Sequence, residues 1–164
     1  EIGSGLVGSE MCIRDRRILD RHKIDYRSYS YDGSRALSGI EVATALGQNP
    51  KQVFKTLVTV GKSRQHYVFM IPVAEELDLK KAAAAAGEKS VEMVKSKELL
   101  GLTGYVHGGC SPLGMKKPFP TFADETAADF ATIIFSAGKI GFQIEAPLAA
   151  LEEIVGLKTA RLTV

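Results

Sequence analysis

The apolar positions of this chain change their period several times, which predicts short strands alternating with short helices. The clearest strands are 53–60 and 66–71, two runs of β-branched and aromatic residues around a turn-like Gly-Lys-Ser-Arg segment. The clearest helix is 79–86, where strong helix formers end at Gly87. Less regular patterns predict further strands at 26–31, 91–94, 119–122, 131–135, 140–145 and 159–164, and further helices at 17–23, 38–47, 97–100 and 148–155.

This order mixes hairpin-like strand pairs with helical excursions. Such a mixture is typical of an α+β fold rather than of a regular doubly wound fold. We therefore expect a mixed, β-barrel-like sheet flanked by helices. The helix at 38–47 has the most specific start signal, because Ser38 and Glu41 match a capping box.

The first 16 residues break the pattern. They are rich in Gly and Ser, then abruptly charged, and show no helical or strand period. The stretch 7–16 (VGSEMCIRDR) resembles a translated sequencing-adapter read-through found on unrelated predicted proteins. We therefore predict that 1–16 is a foreign or disordered leader and that 17–164 is a single domain, whose first helix is a remnant.

Composition narrows the class without indicating a function. Apolar residues make up 45% and charged residues 24% of the chain, and no apolar run is long enough to span a membrane. The 21 basic and 19 acidic residues leave a net charge of +2, too small to indicate a nucleic-acid binder by itself. Two cysteines are too few for a disulfide framework, which favours a reducing, cytoplasmic location.

Lys55 is the first candidate for chemistry. In the predicted strand it shares a face with Val53 and Leu57, and both faces of the strand are largely apolar. Such a lysine either reaches solvent, as an edge residue that blocks aggregation, or meets an anion. In the second case it would hold a carboxylate, a phosphate or a developing oxyanion. The pattern leaves both readings open.

A glycine-rich segment at 108–114 (GGCSPLG) is the second candidate. Gly108 and Gly109 allow a ligand to approach the backbone N–H groups closely, and Ser111 adds a hydroxyl. The segment does not match a nucleotide-binding P-loop, because Met115 separates Gly114 from Lys116, and Lys117 follows that lysine where the motif needs Ser or Thr. It is either a tight connection between strands or a loop that lines a ligand site.

His107 and Cys110 suggest two further kinds of site. As a zinc half-site they lack a second pair of ligands with suitable spacing. As a nucleophilic pair they are supported only by their nearness in sequence, which says little about geometry. Cys110 fits better as a small buried apolar residue. We therefore expect no metal and no cofactor.

The segment 136–141 (SAGKIG) connects two predicted strands. It is either an ordinary hairpin turn or a second loop lining the same pocket as the segment 108–114. In the second case Lys139, together with Lys116 and Lys117, would contact a polyanion, although short runs of lysine also occur on any solvated surface.

Together, and in this order, these segments resemble the YbaK family of bacterial Cys-tRNA(Pro) deacylases. The wider superfamily includes the insertion editing domain of prolyl-tRNA synthetase. The resemblance covers 18–164 and rests on several separate motifs, which are YD at 31–32, FKTL at 54–57, LKKAA at 79–83, GY at 104–105, and the segments 108–114 and 136–141.

The resemblance implies a YbaK-like fold and trans-editing, the hydrolysis of the ester that joins a mischarged amino acid to tRNA. Lys55 would be the catalytic residue, positioning the terminal adenosine and phosphate of the substrate or its ester. The substrate-binding residues would be Tyr31, Gly108, Gly109, Ser111 and Ser136.

In the cysteine-specific family the thiol of the substrate itself is expected to attack the ester, so the protein need not supply a nucleophile or a cofactor. The implied partners are a mischarged aminoacyl-tRNA and prolyl-tRNA synthetase, with no membrane or DNA partner. Two positions depart from the family: Ile140, where relatives often carry Arg, and Cys110, often aliphatic. Two alternatives stay open: a deacylase for another substrate such as Ala-tRNA(Pro), and a non-catalytic aminoacyl-tRNA or nucleotide-binding module.

Overall fold

The structure is a computed structural model that describes residues 7–34 and 37–164, with side chains from residue 13 onward. This part of the chain is an α+β fold, which confirms the predicted class. Its α-helices are α1 (Val7–Arg21), α2 (Gly39–Ala45), α3 (Leu79–Ala86), α4 (Ser96–Thr103) and α5 (Leu148–Val155). Its strands are β1 (Arg27–Ser30), β2 (Phe54–Gly61), β3 (His66–Pro72), β4 (Val91–Met93), β5 (Thr121–Asp124), β6 (Thr132–Ser136), β7 (Phe142–Pro147) and β8 (Lys158–Ala160).

The described strands form two sheets. One is antiparallel, in the order β1-β7-β6, and the other is mixed, in the order β4-β2-β3-β5-β8. An isolated parallel bridge between Val53 and Ile134 joins the start of β2 to β6. The sheets do not close on themselves in this part of the chain, so the barrel-like arrangement stays a prediction.

The hairpin of β2 and β3 forms the centre of the larger sheet. Phe54 pairs with Pro72 and Val60 with His66, and β3 is buried over almost its whole length. Burial on this scale is worth roughly 1.5–3 kcal/mol for each large apolar side chain. The hairpin therefore gives Lys55 a rigid support, one residue after the buried Phe54.

Two of the helices begin where the sequence signals lie. Ser38 and Glu41 form the complete capping box of α2, which confirms that prediction. Helix α3 has the predicted bounds, with the Asp78 carboxylate accepting two backbone N–H groups at its start and Gly87 in the left-handed conformation at its end. Helix α4 is longer than predicted, and a 3-10 helix at Glu125–Asp129 has no counterpart among the predicted elements.

Helix α1 starts earlier than the sequence indicated. The predicted remnant begins at residue 17, whereas α1 begins at Val7 and buries Leu19 in the core. Contacts with the rest of the fold explain the difference, because Asp15 is also fully buried there. The foreign origin of residues 1–16 stays a prediction, and residues 1–6 lie outside the described residues. No described helix is both long enough and apolar enough to cross a membrane.

Candidate functional site

The smaller sheet aligns three polar side chains in one row. Tyr29 on β1 is the register partner of Gln143 on β7, and Gln143 is the register partner of Ser136 on β6. Directly opposite residues in an antiparallel sheet project from the same face. The row of Tyr29, Gln143 and Ser136 therefore lies on one face of the smaller sheet.

Lys55 extends this row across the junction between the two sheets. The parallel bridge pairs Val53 with Ile134, and Lys55 and Ser136 each lie two residues further along their strands. Because side chains alternate with a period of two, both project from the face that carries the bridged pair. Lys55 is half-buried, and no hydrogen bond or ion pair to its ammonium is found among the described residues.

A hydrogen bond joins the two glycine-containing segments at the end of the row. The Ser136 hydroxyl donates to the backbone oxygen of Gly108 at 3.1 Å. Behind this contact the backbones touch, since a Cβ added at Gly109 would lie only 3.1 Å from the Ile140 nitrogen. The structure therefore favours the second reading of the segment 136–141, as a loop beside the segment 108–114 rather than an isolated turn.

The segment after β1 packs against the same loop. The Tyr31 N–H donates to the Gly141 oxygen at 2.9 Å, and a Cβ at Gly33 would lie 2.8 Å from the Ile140 oxygen. Gly141 has a φ of +103°, which favours glycine. Three chain segments thus meet backbone to backbone, and these close contacts require glycine, which has no side chain.

The glycine-rich segment 108–114 presents backbone rather than side chains to this row. Gly108 is exposed with a φ of +87°, and its N–H donates to no acceptor within the described residues. Ser111 is placed differently from the other predicted site residues. It is fully buried, and its hydroxyl oxygen accepts the Leu113 N–H at 3.0 Å. Its position therefore supports the shape of the segment from within.

Cys110 and His107 do not form a reactive pair. Cys110 is buried beside Val58 and Tyr105, and this burial raises the pKa of its thiol to about 12. The expectation of a small buried residue is confirmed, because such a thiol stays protonated near neutral pH. His107 is exposed, and the described residues contain no cluster of three or more metal-ligating side chains.

Sequence reasoning missed the polar residues that hold the row in place. The Tyr29 hydroxyl donates to Glu145 at 2.5 Å, and this hydrogen bond raises the pKa of the phenol. Gln143 is buried, and its side-chain oxygen accepts from the Gln48 amide at 2.8 Å. Only the strand register, which local patterns do not reveal, could have identified these residues.

The three predicted tRNA-contacting lysines lie in two places. Lys139 is half-buried on the loop next to the row, with its ammonium 5.4 Å from the centre of the Phe142 ring. Lys116 and Lys117 are exposed after the segment 108–114, where the Lys116 N–H donates to the Thr103 oxygen. No described contact joins this pair to Lys139.

Two groups near the row are donors without a partner among the described residues, the half-buried Lys55 ammonium and the Gly108 N–H. Donors of this kind stabilise negative charge on an oxygen. A model of the aminoacyl-tRNA editing domain matches residues 36–154. The chain belongs to this editing-domain family. The match contains Lys55 and both glycine-containing segments, whereas Tyr29 and Tyr31 lie before its first residue.

Individual relatives agree with this family. The chain is 46% identical over 148 residues to EbsC of Enterococcus faecalis, named as a proposed Cys-tRNA(Pro)/Cys-tRNA(Cys) deacylase, and the match covers 90% of each protein. A solved structure described as a proposed trans-editing enzyme for prolyl tRNA synthetase has a TM-score of 0.80 at 25% identity, covering 94% of this chain and 97% of that one. A hypothetical protein with 20% identity has a TM-score of 0.83, covers 92% of this chain and 99% of its own, and supports the fold alone.

Proposed function

We propose that this editing domain hydrolyses mischarged Cys-tRNA(Pro) by trans-editing. The name of the Enterococcus faecalis relative supports this substrate class. The observation that carries the proposal is the alignment of Lys55 with Ser136 beside the Gly108 backbone. This arrangement provides charge and donors without a protein nucleophile, which suits a substrate that supplies its own.

The proposed first step takes place within the substrate. The cysteinyl sulfur attacks the ester carbonyl carbon, so a sulfur–carbon bond forms and the carbon–oxygen bond to the ribose breaks. The thiol proton passes to the departing ribose oxygen, which restores the tRNA hydroxyl. Water then opens the cyclic thioester that has formed and releases free cysteine. Both steps place negative charge on the carbonyl oxygen.

Each site residue has a role in this scheme. The Lys55 ammonium and the Gly108 N–H stabilise the carbonyl oxygen, or hold the terminal phosphate beside it. Ser136 fixes Gly108 through their hydrogen bond. Tyr31 and Gly109 shape the site, the first through its backbone bond to Gly141 and the second by allowing close backbone contact.

The phosphates of the tRNA are the proposed partners of the more distant lysines. Lys139 would contact the terminal phosphates, and Lys116 and Lys117 would contact the backbone further from the ester. A net charge of +2 is small for unaided tRNA binding. We therefore include prolyl-tRNA synthetase as a partner in the cytoplasm. Recovery of the synthetase on the immobilised domain, with tRNA present, tests this; recovery of tRNA alone contradicts it.

Replacing Lys55 tests the proposed activity. Loss of the ester from radiolabelled Cys-tRNA(Pro) is followed with the wild-type protein and with Lys55→Ala. We expect a loss of about 100-fold in kcat/KM, the typical effect of removing one preorganised donor. Lys62→Ala is the matched control, because Lys62 is an exposed lysine just beyond the other end of β2. Equal turnover by both variants would contradict the assigned role of Lys55.

A panel of substrates tests the thiol step. Ala-tRNA(Pro) has no side-chain nucleophile, so the scheme predicts slow hydrolysis of this ester. Turnover of Ala-tRNA(Pro) as fast as that of Cys-tRNA(Pro) would contradict substrate-assisted cleavage. Saturable binding without hydrolysis of any aminoacyl-tRNA would instead identify a binding module.

A further inference from the structure

An apolar cleft lies beside the row of site residues. It has a volume of about 270 Å³. Three large apolar side chains in its lining are well exposed: Leu100 at 45%, Val106 at 46% and Ile140 at 39%. Exposed apolar side chains gathered in one concave place are typical of a binding site. Of the residues that line this cleft, the scheme above uses only Lys139.

The cleft and the site share the segment 136–141. Ile140 forms part of its wall, and a Cβ added at Gly108 would lie 3.6 Å from the Ile140 side chain. Lys139 and Gly138, which also line the cleft, follow Ser136 in the same loop. A ligand in the cleft would therefore contact the same loop that carries Ser136.

The size and chemistry of the cleft fit one flat ring. Its volume of about 270 Å³ is just below the range of roughly 300–1,000 Å³ that holds a whole small ligand. Its exposed walls are aliphatic, and Lys139 adds a cation to the lining. Proteins that bind single-stranded nucleic acid combine a cationic groove for the backbone with aromatic side chains on which the bases stack. In this cleft Lys139 is the cation, and exposed aliphatic side chains take the place of the aromatic ones.

We propose that this cleft binds the base of the nucleotide that precedes the esterified terminal nucleotide of the substrate. Lys139 then contacts the phosphate between the two nucleotides. This inference rests on the proposed function, because it needs a tRNA end held at Lys55. The cleft would hold the tRNA end at a second point. The tRNA, which is the leaving group of the reaction, would then contribute to substrate recognition.

Two cleft variants and two substrates test the proposal. Leu100→Ser and Val106→Ser are assayed with full-length Cys-tRNA(Pro) and with the cysteinyl ester of adenosine, which lacks the preceding nucleotide. We expect about a tenfold loss in kcat/KM on the tRNA, through KM, and less than a twofold change on the small ester. Using two variants protects the test against one that folds poorly, and melting temperatures identify such a case.

Leu79→Ser is the matched control, because Leu79 is also a helical leucine, is 41% exposed and lies outside the cleft lining. Equal losses on both substrates, or the same loss in Leu79→Ser, overturn the proposal. A loss that appears only when prolyl-tRNA synthetase is added also overturns it, since the cleft would then bind a protein. If the wild-type protein hydrolyses neither substrate, the proposed function itself fails; if it hydrolyses both and the cleft variants match it on tRNA, only the subsite fails.

Discussion

The segment from Gly104 to Gly114, called here the glycine loop, contacts the rest of the molecule in two different ways. Toward the site it packs backbone against backbone, with Gly109 on Ile140 and the Gly108 oxygen bonded to Ser136. Toward helix α1 it packs through side chains. Comparing the two sides therefore distinguishes contacts that stabilise the fold from contacts that destabilise it.

The α1 side buries polar atoms without satisfying all of them. The Tyr105 hydroxyl donates to Asp15 at 2.9 Å, but the second carboxylate oxygen of Asp15 has no partner. The Arg16 Nε is also buried and unpartnered. Burial raises the pKa of Asp15 to about 7, so this carboxyl holds its proton far above its usual range.

Native proteins rarely leave buried polar groups unsatisfied, because each such group costs roughly 1–3 kcal/mol. The α1 side of the glycine loop breaks this rule at two successive residues, Asp15 and Arg16, whereas the contacts of Gly108 and Gly109 on the site side leave no buried polar side chain unpartnered among the described residues. Asp15 and Arg16 belong to the predicted leader. The origin of residues 1–16 stays a prediction, because unpartnered buried oxygens also occur outside this segment, at Gln48 and Thr56.

The largest effect on deacylation is expected at the fitted side of the glycine loop. In Gly109→Ala the new Cβ would lie 3.1 Å from the Ile140 nitrogen and 3.3 Å from the Lys139 carbonyl carbon. Backbone atoms cannot move aside as a flexible side chain can. We expect a loss of about 1–3 kcal/mol in the free energy of unfolding, measured in urea, and about a 100-fold loss in deacylation.

Gly101→Ala is the control for this substitution. Gly101 lies in α4, and nothing stands within 4 Å of a Cβ placed there. Alanine should therefore raise the free energy of unfolding by about 0.5–1 kcal/mol and leave deacylation unchanged. Wild-type activity in Gly109→Ala would show that the close backbone contact does not shape the site.

Local patterns predicted most elements, because their signals are local. Helix α3 follows from a run of helix formers between Asp78 and Gly87, and the hairpin of β2 and β3 follows from two apolar runs around a turn. The chemistry of the site was harder to predict. Lys55 was recognisable, but its alignment with Ser136 depends on the bridge from Val53 to Ile134, across 81 positions of sequence.

The same reason explains the residues that were missed. Tyr29 and Gln143 look like ordinary strand residues, and only the register between β1 and β7 makes them neighbours of the site. Register is fixed by packing across the whole sheet rather than by local preference. The early start of α1 has a similar origin, because tertiary contacts such as that between Asp15 and Tyr105 outweigh the weak local pattern.

The α1 side should respond to pH. The folded-state pKa of Asp15 is raised to about 7 from 3.8, so its protonated form favours folding at low pH. Stability linked to this group is fully present below about pH 4 and is lost as the pH rises through 7. We expect the free energy of unfolding of Asp15→Asn, measured in urea, to rise by about 2–4 kcal/mol relative to that of the wild type as the pH goes from 4.5 to 8.

Asp20→Asn is the control, because Asp20 is an exposed residue of the same helix. It should follow the wild-type stability curve across the same pH range. If Asp15→Asn also runs parallel to wild type, the buried carboxyl is not a burden on the fold, and the contrast between the two sides of the glycine loop disappears.

The smallest effect is expected at Cys110, one residue after Gly109 in the glycine loop. Its thiol is buried, and desolvation raises its pKa to about 12, so it is not a thiolate at neutral pH. Cys110→Ala should cost about 1 kcal/mol in the free energy of unfolding and change deacylation less than twofold. A loss of deacylation above tenfold at an unchanged melting temperature would indicate that the attacking sulfur belongs to Cys110 and not to the substrate. The expected outcomes at these two neighbouring residues are therefore opposite. Gly109 should be essential because of the backbone contact it allows, whereas Cys110 should be dispensable although it carries a thiol.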